Sequence, residues 1–300
     1  MSLLANPDKA DIRAQAKRDR DSKLYWEARV AKDVRREFRR MGDDYEAVYG
    51  HTGHPISMTT YEHDIVSVLR DTYRKVGDAF KGNMRAGLSP SLNSRLKGPA
   101  LAAEIDHTLT TAFEARARKQ AAYILGTTRE RMSDALVQAH ADAIEAGESP
   151  AQHDIAAAMG RWFRDAAPGR AASIAMTEVG SCAEFAKGTE AAALHKALKK
   201  GLGLALLTKG RKVSVFFPPG SSNFMKVWQA DLDEKTRPAH VEADWQAVDA
   251  TEPFTVMGEQ LMRPGDESMG ASLENIINCR CSALYYVEGE GFISGEPDLE

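Results

Sequence analysis

Three residues with the potential to bind a metal ion lie in the last third of the 300-residue chain, namely His240, Cys279 and Cys281. Imidazole nitrogen and thiolate sulfur are ligands that zinc prefers in proteins. A Cys-x-Cys pair is less specific than a Cys-x-x-Cys pair, and a structural zinc site needs a fourth ligand. The candidates for that ligand are Cys182, Asp233 and Asp244. A structural zinc ion is therefore one interpretation of the pattern.

The other interpretation has no metal. Cys279 and Cys281 then pack as small apolar groups. Asn278 and Arg280 satisfy the hydrogen bonds of a turn, and the protein needs no cofactor.

The residues around His240 predict a rigid polar turn, which we call the polar corner. Pro238 fixes its own φ angle and biases Arg237 toward an extended backbone. Because a buried acid is costly without a partner, we expect Glu178 to pair with Arg170 or Arg237 and so to fix a helical half of the chain against a β half. The polar corner comprises Glu178, Asp233, Thr236, Arg237, Pro238, His240, Asn278 and Arg280.

An enzymatic interpretation uses the same region. An enzyme acting on nucleotide or nucleic acid has to bind phosphate and move protons. The residues able to do so are Asp233, Arg237, His240 and Glu252. No Gly-rich phosphate loop, Ser/His/Asp order or metalloprotease helix motif accompanies them. We therefore expect no catalytic residues and keep the enzyme as the alternative.

The composition is that of a globular chain of one or two domains, with 43% hydrophobic residues. Three cysteines, two of them one residue apart, do not form a normal disulfide framework. A reducing compartment such as a bacterial cytoplasm fits this pattern. The longest apolar run, Leu202 to Leu207, is too short to span a membrane, and no secretory signal is expected after Met1.

The net charge of -4 hides an uneven distribution, since Arg and Lys dominate residues 1–40 and acids dominate the last hundred. One interpretation of the basic segment is a solvated helix with many ion pairs. The other is contact with DNA phosphates or with an acidic partner. The candidates for DNA contact are Arg35, Arg36, Arg39 and Arg40.

Apolar residues at three- and four-residue steps predict amphipathic helices over most of the first 200 residues. The two clearest sets are Leu24, Ala28, Ala31, Val34, Phe38 and Met41, and then Ile65, Leu69, Tyr73, Val76 and Phe80. The segment between them, Tyr45 to Thr60, is predicted to be a loop, and Gly82 to Pro99 a second irregular stretch.

Two further helical regions follow. One begins at Pro99 and stops at Gly147, because glycine suits a helix C-terminus. Ser149 is predicted to cap the next helix. That helix is predicted to end at Pro168-Gly169, and another helix to start near Arg170.

Beyond residue 201, apolar and polar residues alternate around Val213, Val215 and Phe217, and the segment from Phe224 to Trp228 continues this pattern. The alternation predicts a hairpin or meander. The expected fold class is therefore α+β, with mainly helical N-terminal two thirds and a small antiparallel β-containing C-terminal lobe.

We expect a helical N-terminal region at 1–98 and a second domain at 99–288. The second domain consists of a helical half, 99–200, and a β half, 201–288. An acidic tail, 289–300, follows.

The order of polar residues in the last third resembles the C-terminal domain of the phage Mu protein F-like minor head proteins, the head-morphogenesis family of tailed phages. The resemblance is carried by Trp228, Asp233, Thr236, Arg237, Pro238, His240, Asp244, Glu252, Pro253, Phe254, Pro264, Gly265, Asp266 and the run Asn278-Cys279-Arg280-Cys281. Upstream it includes Gly147, Ser149, Arg170, Ala171, Ile174, Ala175, Thr177 and Glu178, so it covers roughly residues 120 to 288. Two positions depart from the family pattern, where Met176 replaces an arginine and Trp245 a glycine.

The resemblance implies a minor capsid protein that acts in head assembly, genome packaging or DNA ejection. The implied partners are the phage portal protein and packaged double-stranded DNA bound without sequence specificity, together with scaffold or major capsid protein. The implied location is the capsid interior, with the host cytoplasm during assembly. Some relatives of this domain are fused to nucleases or ADP-ribosyltransferases, but little chain remains here after Tyr286 for such an enzyme.

Overall fold

The computed structural model describes residues 9–86, 99–147, 151–199, 204–208, 211–215 and 223–288. The predicted cap Ser149, the strand residue Phe217 and the tail 289–300 lie outside the described residues.

Four long helices make up most of the described chain. They are α1 Lys9–Thr52, α2 Glu62–Ala86, α3 Pro99–Glu145 and α4 Gln152–Lys199, with a 3-10 turn at Met58–Tyr61 before α2. The predicted helices are confirmed, and Val34, Phe38 and Met41 of α1 and Leu69 and Tyr73 of α2 are buried. The predicted apolar face of α1 is wrong at its start, because Leu24 and Ala28 are exposed. The predicted stop at Gly147 is also confirmed, since its φ angle of 75° ends the helical backbone.

The loop predicted from Tyr45 to Thr60 is wrong in its first half, because α1 continues to Thr52. Tyr45 and Tyr49 are buried, and their rings stack with centroids 5.5 Å apart. They extend the apolar stripe of the helix beyond Met41 by about two turns. Gly53, with a φ angle of 70°, then ends α1. The irregular stretch predicted from Gly82 is likewise wrong at its start, because α2 continues to Ala86.

The helix end predicted at Pro168-Gly169 is also wrong, because α4 runs through Pro168 without interruption. Phe163, Ala167, Ala171 and Ala175 are all at most 1% exposed and form one continuous buried stripe. Proline costs the helix one hydrogen bond and local strain. Burial of the stripe on both sides of Pro168 offsets that cost.

The described part of the C-terminal third holds seven short strands and two short helices. In chain order they are β1 Leu204–Thr208, β2 Arg211–Val215, β3 Asn223–Gln229, α5 Pro238–Glu242, β4 Ala247–Asp249, β5 Phe254–Val256, β6 Glu259–Leu261, α6 Leu273–Ile276 and β7 Ser282–Glu288. A three-stranded antiparallel sheet has the order β4-β3-β7, while β1-β2 and β5-β6 form two-stranded antiparallel pairs. The predicted α+β class is confirmed. The hairpin or meander predicted from Val213 to Trp228 is wrong in its pairing, because β2 pairs with β1, whereas β3 pairs with β4 and β7.

The chain divides into two compact units. The first, here called the mixed unit, comprises Met1–Leu24, Lys75–Thr111 and Gly180–Glu300. The second, here called the helical unit, comprises Tyr25–Arg74 and Ala112–Val179. The predicted boundary at residues 98 and 99 stays a prediction.

The helical unit gives Glu178 different partners from those predicted. Its carboxylate accepts a hydrogen bond from the Tyr73 hydroxyl at 2.5 Å and pairs with the Arg116 guanidinium at 2.9 Å. Arg170 instead donates to the Thr128 hydroxyl, and Arg237 donates to the carbonyl of Ile277. The prediction of an Arg170 or Arg237 partner is therefore wrong. No sequence motif marks Arg116 as the partner of Glu178, because the two residues meet only through the packing of α3 beside α4.

The mixed unit contains a small apolar core in its β region. Trp228 of β3 packs edge-to-face on Phe254 of β5, with ring centroids 5.3 Å apart. Cys279 and Cys281 belong to the same buried cluster. This core places the two thiols beside α5, which carries His240.

None of the helices within the described ranges has an apolar stretch long enough to cross a lipid bilayer.

Candidate functional site

A network of four buried charges connects α1 with α4 in the mixed unit. Asp19 and Lys23 come from α1, Glu184 and Lys187 from α4, and each is at most 3% exposed. The ammonium of Lys187 lies 2.7 Å from a carboxylate oxygen of Asp19 and 2.8 Å from one of Glu184. The ammonium of Lys23 lies 2.8 Å from the same Glu184 oxygen. The four formal charges cancel.

The same four-charge network also binds the backbone where β7 begins. Lys23 donates to the carbonyl of Cys281 at 2.8 Å and Lys187 to the carbonyl of Ala283 at 3.1 Å. Glu184 accepts the Ala283 amide hydrogen at 2.9 Å. The last described strand is therefore held by charges from two helices that are distant from it in sequence.

The electrostatics keep the network ionised. Burial opposes the charge of Glu184, but the ammonium groups of Lys187 and Lys23 outweigh it and lower the pKa of that carboxyl below its usual value. Burial likewise disfavours charged Lys187, yet the carboxylates of Asp19 and Glu184 raise its pKa above the usual value. Removing one member would leave an unpaired buried charge, which is strongly destabilising.

The sequence prediction missed this network. Lys23 and Asp19 are four residues apart on one helix, and Glu184 and Lys187 three apart on another, which is also the pattern of an ordinary surface ion pair. The useful signal would have been their position on the buried face of each helix. For Lys23 this face also carries Val30 and Val34, two buried apolar residues of α1.

Part of the predicted polar corner assembles around Arg280. Its guanidinium binds the Asp233 carboxylate at 2.5 Å and that of Asp231 at 3.1 Å. Thr236 donates to Asp233 at 3.1 Å. The hydrogen bond from Arg280 holds the pKa of Asp233 well below its usual range. Asp231 also binds Arg20 of α1 at 2.7 Å, a contact that sequence reasoning did not predict.

The turn before α5 has the predicted geometry. Arg237 is extended, with φ -63° and ψ 143°, and Pro238 is the first residue of the helix. The guanidinium of Arg237 reaches the carbonyl of Ile277. Asn278 adopts the left-handed backbone, with a φ angle of 56°, which asparagine tolerates better than most residues. Glu178 belongs to the helical unit rather than to the polar corner of the mixed unit.

His240, Cys279 and Cys281 converge as predicted. Their ligand atoms lie within 4.8 Å of one another, and all three residues are buried. The Nδ1 atom of His240 lies 3.6 Å from the sulfur of Cys279 and 3.4 Å from that of Cys281. A hydrogen bond between the two thiols lowers the pKa of Cys279 and raises that of Cys281.

The predicted fourth ligands are not members of this cluster within the described chain. Asp244 accepts the amide hydrogen of Ala230 at 2.9 Å, and Asp233 is held by Arg280. Cys182 lies buried on α4. The expectation that one of these three completes the set is therefore wrong for this arrangement.

The residues of the enzymatic alternative have protein partners or lie at the surface. Asp233 binds Arg280, and Arg237 donates to the Ile277 carbonyl. His240 contacts Asn275 and the two thiols. Glu252 is exposed.

The basic residues of the N-terminal segment are partly neutralised by neighbouring acids. Arg36 lies 3.3 Å from both Asp33 and Glu37. Arg40 pairs with Glu37 at 3.2 Å and also with Asp64. The interpretation as a helix with many ion pairs is confirmed for these two arginines. Arg39 is exposed and Arg35 half-buried.

Comparison with known proteins gives a partial match. The chain is similar to the minor head protein GP7 of Bacillus phage SPP1, with 31% identity over 108 residues. The match covers 32% of this chain and 34% of GP7, so the chain spans about a third of that relative's length. No family model matches the chain, and no solved structure matches it. The similarity supports a relationship to phage minor head proteins.

The buried network leads to a prediction for Glu184→Gln. This change removes one carboxylate and leaves a net positive charge in the interior, so the free energy of unfolding should fall by about 3 kcal/mol or more at neutral pH. Because the folded pKa of Glu184 is lowered, its contribution is complete above the unfolded value of about 4.3 and is lost as the pH falls through the folded pKa. Chemical denaturation between neutral and acidic pH measures both effects.

The matched control for that experiment is Glu104→Gln. Glu104 pairs with Lys196 at 2.9 Å, but both side chains are more than half exposed. Loss of this exposed ion pair should lower the free energy of unfolding by less than about 1 kcal/mol. Equal effects of the two substitutions would contradict the role assigned to the buried network.

Proposed function

We propose that the chain is a minor capsid protein of a tailed phage, of the Mu F-like type, that acts in head morphogenesis. The observation that carries this proposal is the 108-residue similarity to GP7 of phage SPP1. The order of polar residues from Asp233 to Cys281 supports it independently, because the structure uses several of them to build one corner of the mixed unit.

The proposed partner is the portal protein, inside the capsid. The N-terminal helix α1 supplies a surface suited to docking, because Tyr25 is 53% exposed and the Arg29 guanidinium lies 4.6 Å from the centre of its ring. Tyrosine and arginine are enriched at protein interfaces, where their large side chains bury much surface. Scaffold or major capsid protein is a further proposed contact during assembly in the host cytoplasm.

We also propose that the protein contacts packaged double-stranded DNA without sequence specificity. The acids around Arg36 and Arg40 compete with phosphate for these guanidinium groups. Binding should therefore be weak and electrostatic. A role in assembly, packaging or ejection is consistent with contact to both portal and DNA.

Co-expression with the portal protein of the same phage tests the docking proposal. The full chain should co-purify with portal, and Tyr25→Ser combined with Arg29→Ser should weaken the association because both interface side chains are truncated. Point variants suit this test better than removal of residues 1–98, because Asp19 and Lys23 belong to the buried network.

The matched control is Tyr123→Ser, which changes a tyrosine 47% exposed on α3. It should leave portal binding unchanged. Docking through α1 is excluded if the Tyr25/Arg29 variant binds portal as the unaltered chain does, and portal association itself is excluded if the unaltered chain never co-purifies.

DNA binding is tested by titrating a fluorescent duplex at several salt concentrations. Each phosphate contact should contribute about -0.9 to the slope of log K against log salt. Alanine at Arg35, Arg36, Arg39 and Arg40 should lower the affinity and flatten this slope for any duplex sequence. Affinity that does not change with salt, or that survives all four substitutions, would rule out this contact.

A further inference from the structure

We propose that His240, Cys279 and Cys281 bind a zinc ion that joins α5 to the chain entering β7. The proposal concerns the stability of the mixed unit and does not depend on the proposed role in the phage head.

The first support is the geometry of the ligand atoms. Zinc binds sulfur at about 2.3 Å and imidazole nitrogen at about 2.0 to 2.1 Å, so a tetrahedral angle separates the two atoms by about 3.6 Å. The Nδ1 atom of His240 lies 3.6 Å from one sulfur and 3.4 Å from the other. These two nitrogen–sulfur separations match two edges of a zinc tetrahedron, and the fourth ligand would come from outside these three residues.

The second support is the orientation of the histidine ring. The Asn275 amide donates from Nδ2 to the Glu259 carboxylate at 2.6 Å, and a carboxylate can only accept. The Oδ1 atom of Asn275 must then face Nε2 of His240, 3.3 Å away, and it can only accept. Nε2 therefore carries a hydrogen, and Nδ1 is the atom directed at the two sulfurs.

This arrangement is the one that metal-binding histidines use. Their second ring nitrogen donates to a protein acceptor that fixes the ring and raises the basicity of the ligand atom. Glu259 is itself held by the amide and hydroxyl of Ser272, at 2.9 and 3.1 Å. The relay Ser272, Glu259, Asn275 thus positions His240 for a ligand at Nδ1.

The third support is charge. Binding releases the two thiol protons to solvent, and the resulting unit of Zn²⁺, two thiolates and a neutral imidazole has no net charge. A neutral unit suits side chains that are all buried. Soft thiolate ligands also favour zinc over magnesium or calcium.

The test is the zinc content of the full chain, purified under reducing conditions without chelator and measured by inductively coupled plasma mass spectrometry. We expect about one zinc ion per chain. Cobalt substituted for zinc should give the thiolate-to-metal absorption band of a tetrahedral site. X-ray absorption at the zinc edge should find two sulfur ligands.

Cys279→Ser or Cys281→Ser should reduce the bound zinc to near zero. Cys182→Ala is the matched control, because this third buried cysteine lies outside the cluster, and it should retain the metal. Asn275→Ala keeps all three ligands but frees the ring, so it should weaken zinc affinity by about tenfold or more in a competition assay with a chromogenic chelator.

The proposal is overturned if the unaltered chain binds no zinc after incubation with excess metal. That measurement does not depend on the folding of any variant. Retention of full zinc content by the Cys279→Ser and Cys281→Ser proteins would overturn it equally, since the metal would then lie elsewhere.

Discussion

The mixed unit depends on the ion pairs among Asp19, Lys23, Glu184 and Lys187. Two ammonium and two carboxylate groups are taken out of water there. They are stabilised by one another, by the side chains of Gln15 and Ser282, and by the backbone where β7 begins. Desolvation makes each charge expensive on its own. The first helix, the fourth helix and the last described strand therefore stabilise one another.

This constraint explains the position of the polar corner. Lys23 binds the carbonyl of Cys281, while Arg20 on the same helix binds Asp231, which also binds Arg280. The residues flanking Arg280 are Cys279 and Cys281, so the contacts that fix Arg280 also fix the two thiols beside His240. The basic N-terminal helix thus belongs to the mixed unit through residues 19–24.

Features set by local chain chemistry could be predicted from the sequence. The helical periodicity of Val34, Phe38 and Met41 reflects burial of one helix face, and Pro238 fixed the backbone of Arg237 as expected. The convergence of His240 with Cys279 and Cys281 was predicted by the interpretation of these three side chains as metal ligands.

Features set by packing between distant segments could not be predicted. Pro168 is a local stop signal, but tertiary burial of Ala167 and Ala171 overrides it. Glu178 needed a cation, yet the choice of Arg116 over Arg170 depends on how α3 and α4 lie in the helical unit. Lys23 and Glu184 are separated by most of the chain, and their pairing has no signature in either local sequence.

The most direct test of this account is a double-mutant cycle between Lys23→Met and Glu184→Gln, read by chemical denaturation at neutral pH. Both changes preserve side-chain volume closely while removing charge. If the two residues depend on each other, the double variant should be more stable than the sum of the single effects predicts, with a coupling energy of about 1 to 3 kcal/mol. Single effects that add to within about 0.5 kcal/mol would contradict the central role of the network.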